Sequence, residues 1–243
     1  MENSRSNYTY ESVFQDKSID ISKRFIADVF LWMFIGLAIS AAVSLYFAAN
    51  TQLLSYLINP VTGRRTGLGT IVTFIPLVFV LVMSFGLHRL SFAVLATLFV
   101  LFATAFGMSM SFIFLVYTSS SIMSVFITAS LLFGVMAIAG YTTSQDLTKF
   151  GSLLMMALIG LIIAGVVNFF LQSPQFSYIL SFIGVAIFVG LTAYDMQKLK
   201  QIGASVNRYD ASVKRLVIMG ALTLYLDFIN IFLNLLRLFG SRK

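Results

Sequence analysis

No cysteine occurs in the 243 residues, and His88 is the single histidine. The first absence excludes a disulfide framework and thiolate chemistry, and together they leave zinc, haem and iron–sulfur centres without ligands. Charge is also scarce. Charged residues make up 10% of the chain, against roughly 25% in a soluble domain. Acidic side chains are the scarcest, and beyond Asp28 only Asp146, Asp195, Asp210 and Asp227 remain.

What fills the space is apolar: 59% hydrophobic residues, 25 of them phenylalanine, with a mean hydropathy of +0.94. Seven apolar runs, at 25–48, 70–88, 91–116, 121–143, 151–171, 177–197 and 213–239, each approach the length a bilayer demands. They lack the polar alternation of a lipid-facing barrel, so an all-α integral membrane protein with seven transmembrane helices is expected. Residues 1–22 read as a polar cytoplasmic tail, and 23–243 as a single transmembrane domain. Ordinary turn chemistry breaks the runs: Asn59-Pro60, Gly63, Ser173-Pro174, Gly203.

The net charge of +7 clusters beside the apolar runs, which argues for topology and lipid contact rather than nucleic acid. With the N-terminus inside, that side receives Arg5, Lys17, Lys23, Arg24, Arg89, Lys149, Lys198, Lys200, Arg208, Lys214 and Arg215. The far side receives Arg64, Arg65, Arg237, Arg242 and Lys243. The positive-inside rule then predicts a cytoplasmic N-terminus and an external C-terminus. A six-span chain with a re-entrant last helix is the alternative.

Two aspartates break the pattern. Asp195 ends the run IGVAIFVGLTAYD, and Asp227 sits in the middle of the last run. A central aspartate costs on the order of 3 kcal/mol on insertion scales, so it is expected to face a bundle interior or a wet cavity. Two carboxyl groups facing each other in a poorly hydrated site resist double ionisation and share a proton, which makes a proton-sensitive switch. On the last run Thr223, Asp227, Asn230, Asn234 and Arg237 recur at helical spacing as one polar stripe. Such a stripe is either interhelical glue or the lining of a path, and it argues for a central last helix surrounded by the other six. Arg89, between the second and third runs, falls at the level of Asp195 and could latch an ionised carboxylate. Elsewhere, Asp28 reads as an interfacial partner of Arg24, Trp32 as an interface aromatic, and Ser109, Ser111 and Asn168 as helix contacts or path lining.

The strings GYTTSQDLTKFGSLLMMALIG (140–160), GLTAYDMQKLK (190–200) and LTLYLDFINIFLNLLRLFG (222–240) closely resemble the bacterial branch of the transmembrane Bax-inhibitor-motif family. The resemblance implies a seven-helix bundle whose last helix is wrapped by two three-helix groups, conducting a pH-sensitive calcium leak. It puts the family's aspartate pair on Asp195 and Asp227 and its latch arginine on Arg89. The connection QIGASVNRYDASVKRL is longer than in shorter bacterial relatives, and GLHRLSF lacks a basic cluster.

The expected function is a passive, proton-gated cation pathway, calcium being the transported ion and no cofactor being needed. Asp195 and Asp227 would form a weak, transient cation site, with Thr223, Asn230 and Asn234 lining the way. These oxygen donors suit a hard cation. The partners expected are the lipid bilayer, calcium and protons, and the chain is expected to act as a monomer in the bacterial inner membrane. Alternatives are a proton-coupled exchanger, a non-conducting scaffold, or an intramembrane aspartyl protease. The last is disfavoured because Leu224-Tyr225-Leu226 precedes Asp227 where glycines would be needed.

Overall fold

The computed structural model describes residues 2–60, 62–206 and 212–243, with side chains from Ser22 onward. Arg208 and Asp210 of the long sixth connection, and the side chains of Arg5 and Lys17, therefore lie outside the described residues. Among the described residues there are nine helices and no strand: α1 (Glu2–Ala49), α2 (Thr51–Leu57), α3 (Gly67–Gly86), α4 (Phe92–Met110), α5 (Ile113–Val116), α6 (Ser119–Thr142), α7 (Thr148–Leu171), α8 (Pro174–Ser205) and α9 (Ser212–Phe239).

Polar residues at the turns start these helices. The side chains of Asn50, Thr66, Ser91, Thr118 and Ser173 each accept a hydrogen bond from a backbone N–H of the first turn of α2, α3, α4, α6 and α8. Each thereby satisfies a donor that the helix leaves without an internal acceptor. Gln172, in the left-handed region at φ 51°, ends α7, and Pro174 opens α8 two residues later.

The protein is an integral membrane protein with seven spans: Ser22–Ala49, Gly67–Gly86, Phe92–Val116, Ser119–Thr142, Thr148–Leu171, Pro174–Ser205 and Ser212–Phe239. These ends fall within three residues of the apolar runs with one exception. The sixth span continues to Ser205, eight residues past the end of its run, and carries Lys198 and Lys200 on helix.

The last span is the most buried, with 67% of its apolar window inside the molecule against 6% for the fifth. It packs on α8, α1, α6, α4 and α3, while α7 packs on α8. At one end Arg215 Nη1 donates to the carbonyls of Leu87 and His88, at 3.4 and 3.3 Å. At the other end, Thr118 N–H donates to Ser241 O at 3.0 Å and Lys243 N–H to Val116 O at 2.9 Å. Those partners lie at opposite ends of α4 and α5, so α9 crosses the whole bundle. Its 28 residues extend for about 42 Å, longer than the ~30 Å hydrocarbon core. That length and that course fit a last helix that spans.

Candidate functional site

Asp195 is held from three sides by the packing of its neighbours. Gly140 of α6 lies so close to the backbone of Ala193 that a Cβ there would collide with it, and Gly151 of α7 meets the Tyr194 ring in the same way. On the α9 side, Gly220 abuts Leu199 and Gly184 abuts the Asn234 amide, with ideal-Cβ distances of 2.7 and 2.8 Å. These two contacts fix the antiparallel register of α8 and α9, and both aspartates lie between them. Small residues allow this close approach, as at many interfaces between membrane helices.

In that register the Asp195 and Asp227 carboxyl groups come within hydrogen-bonding range of each other. Asp227 is 4% exposed, and its Oδ2 accepts no hydrogen bond from any N–H or O–H among the described residues. An ionised carboxylate only accepts, so a bond between the two requires a proton on one of them. A proton, a cation or a water molecule can satisfy the orphaned oxygen. Lys198, one turn along α8, is the cation whose field acts on Asp195. Among the described residues no third carboxylate and no imidazole joins the pair.

Three other stripe residues each spend a donor on their own helix. Thr223 Oγ1 donates to Met219 O at 3.1 Å, Asn230 Nδ2 to Leu226 O at 2.8 Å and Asn234 Nδ2 to Asn230 O at 2.8 Å. Their side-chain oxygens stay available as acceptors. Thr223 and Asn230 are half-buried and Asn234 is buried. The two large apolar cavities, of about 830 and 550 Å³, are lined by other residues.

Residues 22–243 match the protein family described as Inhibitor of apoptosis-promoting Bax1. The chain belongs to this Bax-inhibitor-like family. Inner membrane protein YbhL of Escherichia coli (strain K12) is 44% identical over 220 residues, covering 90% of this chain and 92% of its own. A Rickettsia prowazekii protein is 45% identical over 179 residues, 74% of this chain and 75% of its own. A Borreliella burgdorferi protein is 39% identical over 230 residues, 94% of this chain and 97% of its own.

Within this Bax-inhibitor-like bundle Arg89 is exposed in the turn between α3 and α4. The cation whose charge acts on Asp195 is Lys198. Arg24 and Asp28 are exposed at the start of the first span. Trp32 meets Phe92 and Phe99 of α4 edge-on at 6.1 Å each. Asn168 closes the α7–α8 corner: its Nδ2 donates to Ser177 Oγ at 2.6 Å and its Oδ1 accepts from Ser173 N–H at 3.3 Å. Ser111 Oγ is spent on Met108 O at 2.7 Å.

Two supports of the site escaped sequence reasoning. Tyr225, two residues before Asp227 and fully buried, has its hydroxyl 2.7 Å from Ser40 Oγ, which itself donates to Ala103 O at 2.7 Å. The serine proton is thereby used, so the tyrosine donates. This chain ties α9 to α1 and α4. The other is Gln197, two residues after Asp195. Its Nε2 donates to Gln145 O at 2.7 Å and its Oε1 accepts from Leu147 N–H at 2.9 Å, clamping the α6–α7 connection onto α8. Neither residue type stands out in a sequence, because tyrosine, serine and glutamine are ordinary in helices and only their partners reveal the role.

Proposed function

We propose that the protein is a pH-sensitive passive cation pathway, with calcium as its ion and the Asp195–Asp227 pair as its titrating element. One observation carries the reading: a buried carboxylate oxygen with no donor, beside a second carboxyl group, in the most buried span. A site of this kind can take a proton or a cation, and the two compete. Two carboxylates without a third ligand bind a hard cation weakly, which suits transit better than storage. Thr223, Asn230 and Asn234 offer side-chain oxygens along the same helix. The reading involves no enzyme activity and no resident cofactor, and the working unit is the monomer.

Lys23, Arg24, Arg89, Lys149, Lys198, Lys200, Lys214 and Arg215 belong to the end of the bundle where Ser22 lies, and Arg64, Arg65, Arg237, Arg242 and Lys243 to the other. By the positive-inside rule the Ser22 end is cytoplasmic. The name of the Escherichia coli relative, an inner membrane protein, supports the bacterial inner membrane as the location.

Calcium flux into liposomes, followed across a pH series, tests the reading. The wild-type leak is expected to rise as the pair gains its second proton on acidification, because the ionised pair is what a basic latch can hold shut. Asp195→Asn and Asp227→Asn should each flatten that response, and two single variants with the wild-type profile would make the pair structural. Two cations compete for the latch: Arg89, which requires the α3–α4 turn to reach the pair, and Lys198, whose charge already acts on Asp195. Whichever one, on replacement by alanine, raises the leak at closed-state pH holds it. Uphill cation movement driven by a pH gradient would instead identify an exchanger, and proton-insensitive silence a scaffold.

A further inference from the structure

Between α1 and α6 lies a cavity of about 830 Å³ whose walls are almost wholly apolar. On α1 the lining residues include Ile26, Met33 and Ala41, and on α6 Phe126, Gly134 and Tyr141, recurring on each helix at the spacing of one face. Two such faces would be expected to pack together, yet α1 and α6 make little contact; Met196 of α8 and Phe228 of α9 line the groove between them. From Ile26 to Ala41 the groove runs along α1 for about 22 Å, longer than the ~15 Å of hydrocarbon in one leaflet. In a bilayer the medium against this opening is acyl chain.

The mouth of the groove is basic. Ser22 Oγ donates to Lys200 O at 3.4 Å, bringing the start of α1 against α8. The Lys200 ammonium lies 5.1 Å from the centre of the Tyr141 ring, which lines the groove, and donates to Tyr141 O at 2.7 Å. An ammonium carries three donors, and this carbonyl takes one. Lys23 and Arg24 lie three and two residues before Ile26, with Asp20 and Asp28 on either side of them in the sequence. An apolar slot long enough to take an acyl chain through one leaflet, ending at cationic donors, has the chemistry of a lipid with a negatively charged headgroup.

We propose that an anionic phospholipid of the leaflet at the Ser22 end binds here, one acyl chain in the α1–α6 groove and its phosphate at Lys200. The site stands independently of ion conduction. Two of its lining residues, Met196 and Phe228, are the sequence neighbours of Asp195 and Asp227.

The absence of other tryptophans makes the test direct. Ser130 lines the groove, so Ser130→Trp in a Trp32→Phe background reports there, with brominated phosphatidylglycerol or phosphatidylcholine as quencher in mixed vesicles. The expected result is quenching that saturates at low mole fraction of the anionic lipid, with a preference of about fivefold over the zwitterionic one, as expected for one basic contact. Lys200→Gln should abolish the preference. Quenching that merely follows mole fraction, or that is equal for both headgroups, overturns the proposal. Native mass spectrometry of the wild type in detergent, comparing retention of the two lipids, gives a readout independent of the tryptophan variant. There Gly134→Leu, which adds bulk where a Cβ would meet nothing within 4 Å, should displace the retained anionic lipid, and undiminished retention counts against the groove.

Discussion

Asp227 was visible in the sequence because an ionisable group in an apolar run is costly wherever it points. Tyr225, two residues earlier, was not, because its hydroxyl has meaning only through Ser40 and Ala103. Their hydrogen bonds predict an asymmetry between two small deletions. Tyr225→Phe removes a donor and leaves Ser40 still bonded to the carbonyl, so the loss should be ~1 kcal/mol or less. Ser40→Ala strands a fully buried phenol without an acceptor, and should cost about 1–3 kcal/mol. Denaturation of the detergent-solubilised variants should therefore rank Ser40→Ala below Tyr225→Phe, and the reverse order would mean that the ring cluster rather than the hydroxyl holds α9. Outside the membrane, Asp146 accepts from the Thr148 hydroxyl at 2.5 Å and from its N–H at 2.9 Å. These bonds, the hydroxyl first, hold its carboxyl below the usual carboxylate range. Its contribution is then present at neutral pH and is lost as pH falls through the depressed folded value. Asp146→Ala should lower the melting midpoint slightly at pH 7, and the gap from wild type should close in acid.

Seven spans were legible at the level of elements because length and apolarity alone define them. Their ends were less so where charge misled: Lys198 and Lys200 read as the exit from the sixth run, yet the helix continues to Ser205. The reason is visible in the packing, since Lys200 reaches Tyr141 O and Gln197 holds the α6–α7 connection, so the polar turn is gripped by α6 and α7 instead of being released to water. The short α2 and α5 went unread because helices of seven and four residues carry too little periodicity to register. Contact between α6 and α8 depends on Gly140. A methyl group there meets the Ala193 backbone, which cannot swing aside as a side chain can, whereas at Gly134 on the same helix it meets nothing within 4 Å. Gly140→Ala should cost about 1–3 kcal/mol by forcing α6 from α8, and Gly134→Ala should be neutral or slightly stabilising. Equal midpoints for the two variants in a thermal melt would show that the α6–α8 spacing is not set at this glycine.

For the whole molecule, the most exacting consequence is the direction in which the bundle is inserted. The spans divide the described basic residues unequally between two ends, and the end with more of them should face the cytoplasm. Of the opposing charges, Lys243 is tied down: its Nζ donates to Phe114 O at 2.8 Å, and the Ser241 N–H next to that end donates to Ser121 Oγ at 2.9 Å. A charge held against the loop at that end is fixed to the face that α9 reaches after crossing, so it cannot signal a return of the chain. With no native cysteine, single substitutions can report on each face without background. Ser120 and Ala204 are both exposed, at the α6 and α8 ends that lie on opposite sides. In right-side-out spheroplasts Ser120→Cys should react with a membrane-impermeant maleimide, while Ala204→Cys should react only after lysis. The opposite pattern would invert the insertion and place the Lys198 end outside. Labelling of both residues before lysis would mean that the two ends share one face, contrary to a last helix that crosses the bundle.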